Sequence, residues 1–98
     1  MPMPSMPLTS SSAVVAVKDQ VSCDLNGEAA ILHLGKGIYY GLDPVGARVW
    51  TLIQEPKTVD DLRRLLLQEY DVAEDRLQDD LLGLLEKLRD QDLVTVLA

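Results

Sequence analysis

The stretch "GKGIYYGLDPVGARVW" (residues 35–50) joins an uncharged, β-rich run to the start of a helix. Residues 38–42 carry two adjacent tyrosines and no charged side chain, in a chain of which 26% of residues are charged. Asp43 then offers an N-cap, and Pro44 suits the first helical position because its missing N–H would have no partner there. The stretch therefore predicts a strand that ends where a helix begins. That strand is either buried between neighbours or exposed at a sheet edge.

The sequence before this stretch predicts two further strands. Residues 21–25 alternate between apolar and polar side chains, Asn26-Gly27 is the strongest two-residue hairpin signal, and residues 28–34 follow as the second strand. A second turn at residues 35–37 leads into residues 38–42, which become the third strand, at one edge of an antiparallel meander. Two shorter β-like segments, residues 13–17 and 93–97, lie near the two ends of the chain.

The second half of the chain changes to helical periodicity. The first helix starts at Pro44 and ends at Pro56, Thr58 can cap the second, and the third runs from about Ala73 to Gln91. The third helix has a leucine stripe that predicts its buried face: Leu77, Leu81, Leu84, Leu85 and Leu88. The predicted fold class is α+β, a three-stranded antiparallel meander followed by three helices, similar to a winged helix-turn-helix.

Length and composition favour one small domain. The 98 residues are 47% apolar with a net charge of −7, which weighs against nucleic acid or an anionic membrane as a partner. Residues 1–12 are rich in proline, serine and methionine and predict a disordered tail, which leaves residues 13–98 as the domain. No apolar stretch reaches the roughly 18 residues of a transmembrane helix. The single cysteine allows no internal disulfide, which favours a cytoplasmic location.

No group of residues predicts catalysis, a metal or a cofactor. His33 is the only histidine and is expected to be an ordinary strand residue, and Cys23 a small core residue. Residues 71–92 contain eight acidic and three basic side chains, so the third helix would repel a DNA backbone. No serine stands at a helix start in the context that an acyl or peptidyl carrier needs. A binding protein remains, and the uncharged third strand is its candidate surface, because an extended peptide can add to a free sheet edge. The tail or a second copy of the chain could instead cover that edge.

Several short motifs resemble the PqqD-like family in their order and spacing. They are Leu32, Gly37, Tyr39-Tyr40, Leu42-Asp43, Val49-Trp50 and Thr58-Val59 with Leu62, and the similarity extends over about residues 21–97. The resemblance implies a non-catalytic domain that binds the leader segment of a ribosomally made precursor peptide. It is most similar to the stand-alone protein of split lasso-peptide pathways, which works with a separate leader peptidase and a cyclase. The alternative within the family is the peptide chaperone of the pyrroloquinoline-quinone pathway.

The resemblance also implies where the peptide binds. The leader would add to the third strand, in a groove between that strand and the third helix. The expected binding residues are Ile38, Tyr39, Tyr40, Gly41 and Leu42 of the strand, with Asp75, Gln78, Leu82 and Leu85 of the helix. The flank with Leu82 is chosen because it combines apolar and polar side chains. The opposite flank is expected to face solvent and carries Arg76, Asp80, Gly83 and Lys87. The sequence leaves open whether the protein is a monomer or pairs with itself through the strand.

Overall fold

Six strands and three helices make up the part of the chain that the structure describes, residues 8–97 of a computed structural model. In chain order they are β1 (Ala13–Ala16), β2 (Gln20–Leu25), β3 (Glu28–His33), β4 (Ile38–Leu42), α1 (Pro44–Leu52), β5 (Lys57–Thr58), α2 (Val59–Glu69), α3 (Glu74–Asp90) and β6 (Val94–Leu97). The predicted α+β class, with an antiparallel meander followed by three helices, is confirmed. No helix within residues 8–97 has both the length and the apolar character to cross a bilayer.

The meander is an antiparallel sheet in the order β2-β3-β4. Asn26 and Gly27 form the first turn with φ values of 61° and 95°, the positive angles that a type I′ hairpin turn requires at both central residues. One face of the sheet packs on the core through side chains such as Ile31 and Leu42, which are both buried. We call this the inner face and its reverse the outer face.

A second antiparallel sheet, in the order β5-β1-β6, joins the two ends of the domain. In β1, Ala13 pairs with Leu97 and Ala16 pairs with Val94. The sequence predicted β1 and β6 only as short separate segments. Their pairing was not predicted because nothing in either segment specifies a partner about 80 residues away along the chain.

The residues that precede β1 differ from the predicted tail. Leu8 is buried, and the carbonyl oxygens of Ser10 and Ser12 accept hydrogen bonds of 2.9 Å from the first N–H groups of α2, at Asp60 and Val59. Helix N-termini have free N–H groups, so a chain crossing them is held in place. The prediction of disorder is therefore wrong for residues 8–12, and residues 1–7 lie outside the described part.

Helices α1 and α2 begin where their capping residues predict. The Asp43 side chain accepts a hydrogen bond from the Gly46 N–H at 2.7 Å, and α1 ends at Leu52, a few residues before the predicted stop at Pro56. Thr58 and Asp61 form a capping box at α2, in which each side chain accepts a hydrogen bond from the other residue's N–H. The core then lies between the helices and both sheets, with fully buried side chains that include Ile31, Val49, Leu62, Leu85 and Leu93.

Replacing Thr58 by alanine is expected to lower the free energy of unfolding by about 1 kcal/mol, the usual cost of losing an N-cap side chain. The Thr58 hydroxyl, then Arg64 and the Thr58 N–H, lower the pKa of Asp61 below its ordinary value of 3.8. The stabilisation from Asp61 is thus complete above that value and is lost as the pH falls through the lower, folded-state pKa. Urea unfolding at neutral and acidic pH measures both effects, with Thr9→Ala as a control. A Thr58→Ala variant as stable as wild type would mean that the cap contributes nothing.

Candidate functional site

The hydrogen-bonding direction of β3 can be derived from its first turn. In a two-residue hairpin the flanking residues, here Leu25 and Glu28, exchange both hydrogen bonds, and such pairs recur at every second position. The alternation continues past the end of β3, where the Leu34 N–H donates to the Asp19 carbonyl oxygen at 3.1 Å. The even-numbered residues of β3 therefore bond to β2.

The odd-numbered residues of β3 must bond to β4 on the other side. Their partners there are Ile38, Tyr40 and Leu42. The two residues between these, Tyr39 and Gly41, direct their N–H and C=O groups away from the sheet. No strand in residues 8–97 pairs with this side of β4. The backbone of Tyr39 and Gly41 is therefore available to another extended chain.

A cleft of about 280 Å³ runs along β4 and separates it from α3. Tyr40, Gly41, Leu42 and Asp43 form its strand side, and Asp80, Gly83, Leu84 and Lys87 form its helix side. A second cleft of about 300 Å³ lies at the start of α1 and shares Asp43, Asp80 and Leu84 with the first. That second cleft is mainly apolar, and two of its side chains, Val45 and Val72, are exposed. Together the two clefts form one groove, which we call the β4–α3 groove.

This geometry corrects the predicted helix flank. The strand faces the flank with Asp80, Gly83 and Lys87, which the sequence had assigned to solvent. The predicted flank lies across the leucine stripe, where the Gln78 side-chain amide donates to the Ser10 hydroxyl at 3.2 Å. The segment before β1 therefore occupies the surface beside Gln78.

The four helix residues predicted for the site accordingly lie elsewhere. Leu85 is fully buried in the core, Leu82 is half-buried against the core, and Asp75 is exposed on the same side as Gln78. The five predicted strand residues make up β4, in which Ile38, Tyr39 and Gly41 are exposed, Tyr40 is half-buried and Leu42 is buried. The structure thus brings Tyr40, Gly41 and Leu42 to the groove, with Ile38 and Tyr39 beside them on β4, and none of Asp75, Gln78, Leu82 or Leu85.

Polar groups of both signs line the rim of the groove. Arg76 and Asp80 are exposed and lie 3.9 Å apart, one turn from each other on α3, and Lys87 lies two turns further along. At the other end, Lys36 in the turn before β4 pairs with Asp92 just after α3, and this contact lowers the pKa of Asp92. That ion pair connects the strand end of the groove to the helix end. An exposed pair of this kind contributes little stability.

Two glycines of the groove, Gly41 and Gly83, have no conformational reason to be glycine. The glycines with positive φ in the described part are Gly27 and Gly37. A Cβ atom added at Gly41 or at Gly83 would meet no atom within 4 Å. Glycine weakens a strand, and in a helix it costs about 1 kcal/mol relative to alanine. Glycine inside a strand often marks a place where another backbone approaches closely, as Gly41 does at the edge of β4. Gly83 leaves the helix wall of the groove bare.

The described residues contain no arrangement that resembles a catalytic or metal centre. Within residues 8–97 no three histidine, cysteine or acidic side chains cluster as a metal site would require. His33 lies on the inner face, where its Nδ1 accepts a hydrogen bond from the Lys36 N–H at 3.2 Å and so supports the turn. Cys23 is exposed on the outer face, which corrects the expectation of a core residue, because no element of residues 8–97 covers that face. The two side chains lie on opposite faces and do not form a dyad.

Comparisons with known proteins identify relatives of the chain. A family model described as coenzyme PQQ synthesis protein D (PqqD) matches residues 28–94, more than half of the sequence. None of the curated proteins compared with the chain matches it. A solved structure, "TbiB1 in Complex with the TbiA(beta) Leader Peptide", is 32% identical with a TM-score of 0.78, and the alignment covers 86% of this chain and 98% of that one.

A second structure, "Lasso peptide synthetase B1 complexed with the leader peptide", is 16% identical with a TM-score of 0.73 over 84% of this chain and 96% of that one. At that identity the likeness concerns the fold alone. The family match and the 32% identical structure carry the assignment, and the motifs that predicted it, from Gly37 to Leu62, lie inside the matched region. This chain belongs to the PqqD family.

Proposed function

We propose that this protein binds the leader segment of a ribosomally made precursor peptide and has no catalytic activity of its own. The leader adds as an extended strand to the free edge of β4 and lies in the β4–α3 groove. The observation that carries the proposal is the outward backbone of Tyr39 and Gly41 on an uncharged edge, beside a groove that is open along its length. Proteins normally protect such an edge with charge, proline or a covering element.

The β4 backbone and the groove would contribute differently to recognition of the leader. Hydrogen bonds to Tyr39 and Gly41 give affinity that does not depend on sequence, and pockets for alternate side chains give selectivity. One set of leader side chains points inward, toward Leu84 and the rim charges Asp80 and Lys87. Residues beyond the end of the paired strand reach the apolar cleft beside Val45 and Val72.

The relatives support the leader-binding part of this proposal, since the TbiB1 structure, 32% identical to this chain, contains a leader peptide. The motif resemblance described above favours a place in lasso-peptide biosynthesis. There the protein would deliver the precursor to a separate leader peptidase and a cyclase. The family description favours, as the second candidate, a peptide chaperone in pyrroloquinoline-quinone synthesis. Neither role requires this chain to bind nucleic acid, a metal or a cofactor.

Peptide titration tests the binding site directly. A phage-displayed library of random peptides is selected on the immobilised protein, and the enriched sequence is synthesised with a fluorophore. We call this probe the selected peptide, and the TbiA(beta) leader peptide is titrated beside it. We expect Gly83→Leu to weaken binding of the selected peptide by about tenfold, because the new side chain fills the groove where a Cβ has free space.

The control is Glu86→Leu, which adds the same side chain at an exposed position of α3 outside the groove. Both variants should fold, and removing a helical glycine should raise the melting temperature of Gly83→Leu. Equal binding by the wild type and Gly83→Leu would place the peptide elsewhere. The proposed function would be contradicted if neither a library peptide nor the TbiA(beta) leader bound the protein. Cleavage of a peptide by the purified protein would also contradict it.

A further inference from the structure

The outer face of the meander is apolar, although no element in residues 8–97 covers it. Cross-strand pairing defines its rows: Val21, Leu32 and Tyr39 form one, and Cys23, Ala30 and Gly41 form the next. Val21 and Leu25 are about half exposed, and Tyr39 is 73% exposed. An antiparallel sheet with one solvated face usually has polar side chains there. The first row holds large side chains and the second row only small ones, so the second row forms a shallow trough.

The trough ends at the free edge, on Gly41. This residue has no Cβ, does not adopt positive φ, and would admit a Cβ without contact to any atom within 4 Å. The glycine therefore weakens β4 with no gain inside the protein. A strand added to β4 would place one residue directly opposite Gly41, since the backbone of Gly41 points toward that strand. The side chain of that residue would lie on the outer face, at the open end of the trough.

We propose that Gly41 selects leader peptides that carry a large apolar residue, aromatic by preference, at the position paired with it. This inference rests on the proposed function. Glycine in a sheet is stabilised when a neighbouring strand places an aromatic ring across it, a pairing known as aromatic rescue. Here the ring would cover the bare Gly41 backbone, rest on Ala30 and contact the Tyr39 side chain at its edge. The peptide thereby completes an apolar surface that the protein leaves unfinished.

The recognised segment then has a defined pattern. Residues of the peptide that pair with Tyr39 and Gly41 are two positions apart, so both lie on the outer face, and the residue between them points into the groove. The residue opposite Tyr39 meets a large ring and has less room than the residue opposite Gly41. We therefore expect a large apolar side chain at the peptide position opposite Gly41. The position opposite Tyr39, two residues away, should carry a smaller side chain.

A double-mutant cycle between Gly41 and the peptide tests this assignment. On the wild-type protein, alanine at the key aromatic or large apolar position of the selected peptide is expected to weaken binding by about fivefold to tenfold. On Gly41→Val, the same peptide change should weaken binding less than about twofold, because valine already fills the trough. Valine favours strands, so this variant keeps the sheet and the outward N–H. Selecting the library on Gly41→Val should enrich small residues at that position.

The matched control is Cys23→Val, which adds the same side chain in the same row but on β2, the strand at the opposite side of the sheet from β4. On this variant the peptide change should cost as much as on the wild type. An equal cost on Gly41→Val and on the wild type would overturn the assignment, and so would a selected peptide without a large apolar residue. If Gly41→Val gives this result but Gly83→Leu still weakens binding of the selected peptide, the groove and the proposed function are supported and only the role of Gly41 is wrong. If neither Gly41→Val nor Gly83→Leu changes binding as expected, the proposed function is wrong as well.

Discussion

Replacing Tyr39 by proline is expected to weaken binding of the selected peptide by roughly thirtyfold, whereas Tyr39→Val should change it less than about threefold. Proline removes the outward N–H, which leaves a carbonyl of the bound peptide without its partner. The lost bond and the unsatisfied carbonyl together cost about 2 kcal/mol. Valine keeps the N–H and favours a strand. Fluorescence anisotropy with the selected peptide measures both variants.

The hydrogen-bonding direction derived for β4 also predicts how proline at Tyr39 and at Tyr40 changes the stability of the protein, and the two positions should differ. Proline is tolerated on an edge strand when its missing N–H would face outward, so Tyr39→Pro should melt close to the wild-type temperature. Tyr40→Pro should melt much lower, because the Tyr40 N–H bonds to Ile31 inside the sheet. Circular dichroism melts distinguish the two. If Tyr39→Pro unfolds and Tyr40→Pro does not, the derived direction is inverted. If folded Tyr39→Pro binds as Tyr39→Val does, the peptide does not add to β4.

Local sequence signals predicted the elements of this fold well. Asn26-Gly27 fixed the first hairpin, because few residues other than asparagine and glycine adopt the positive φ angles of its turn. Asp43 and Thr58 marked the starts of α1 and α2, where each now caps an N–H group. In each case the residue and the group that it contacts are separated by three positions or fewer. Such contacts depend on the local sequence alone.

The parts that sequence reasoning missed depend on contacts between distant residues. The hydrogen bond from Gln78 to Ser10 joins residues 68 positions apart, and it lies on the flank of α3 that the segment before β1 covers. A helical wheel orders the flanks of α3 around its leucine stripe but does not show which flank meets β4. The Leu82 flank was preferred because it mixes apolar and polar groups. Leu82, however, is half-buried by the protein itself, while the bare Gly83 lies beside the strand. The unexplained glycine at 83 was the available signal for the flank of α3 that lines the groove.

Leu85→Ala tests whether Leu85 belongs to the core and not to the peptide site. We expect a large effect on stability and almost none on peptide binding. Leu85 has no exposed surface, so removing most of its side chain leaves a cavity in the core. The expected loss is about 2–5 kcal/mol in the free energy of unfolding. For a domain of this size, each kcal/mol lowers the melting temperature by roughly 4–8 °C. The affinity of the folded protein for the selected peptide should stay within about twofold of wild type, because Leu85 does not line the groove.

Stability and binding must be measured separately, since a bound peptide raises the apparent stability of any protein that it prefers to bind when folded. Melts are therefore recorded without peptide, and titrations are run well below the melting temperature of the variant. Leu82→Ala is the companion variant: it is half-buried, so it should destabilise less than Leu85→Ala, and it should also leave the affinity unchanged. A Leu85→Ala protein that melts like wild type yet no longer binds the selected peptide would place Leu85 in the peptide site after all. The same result for Leu82→Ala would restore the flank that the sequence favoured, with the peptide between β4 and that side of α3.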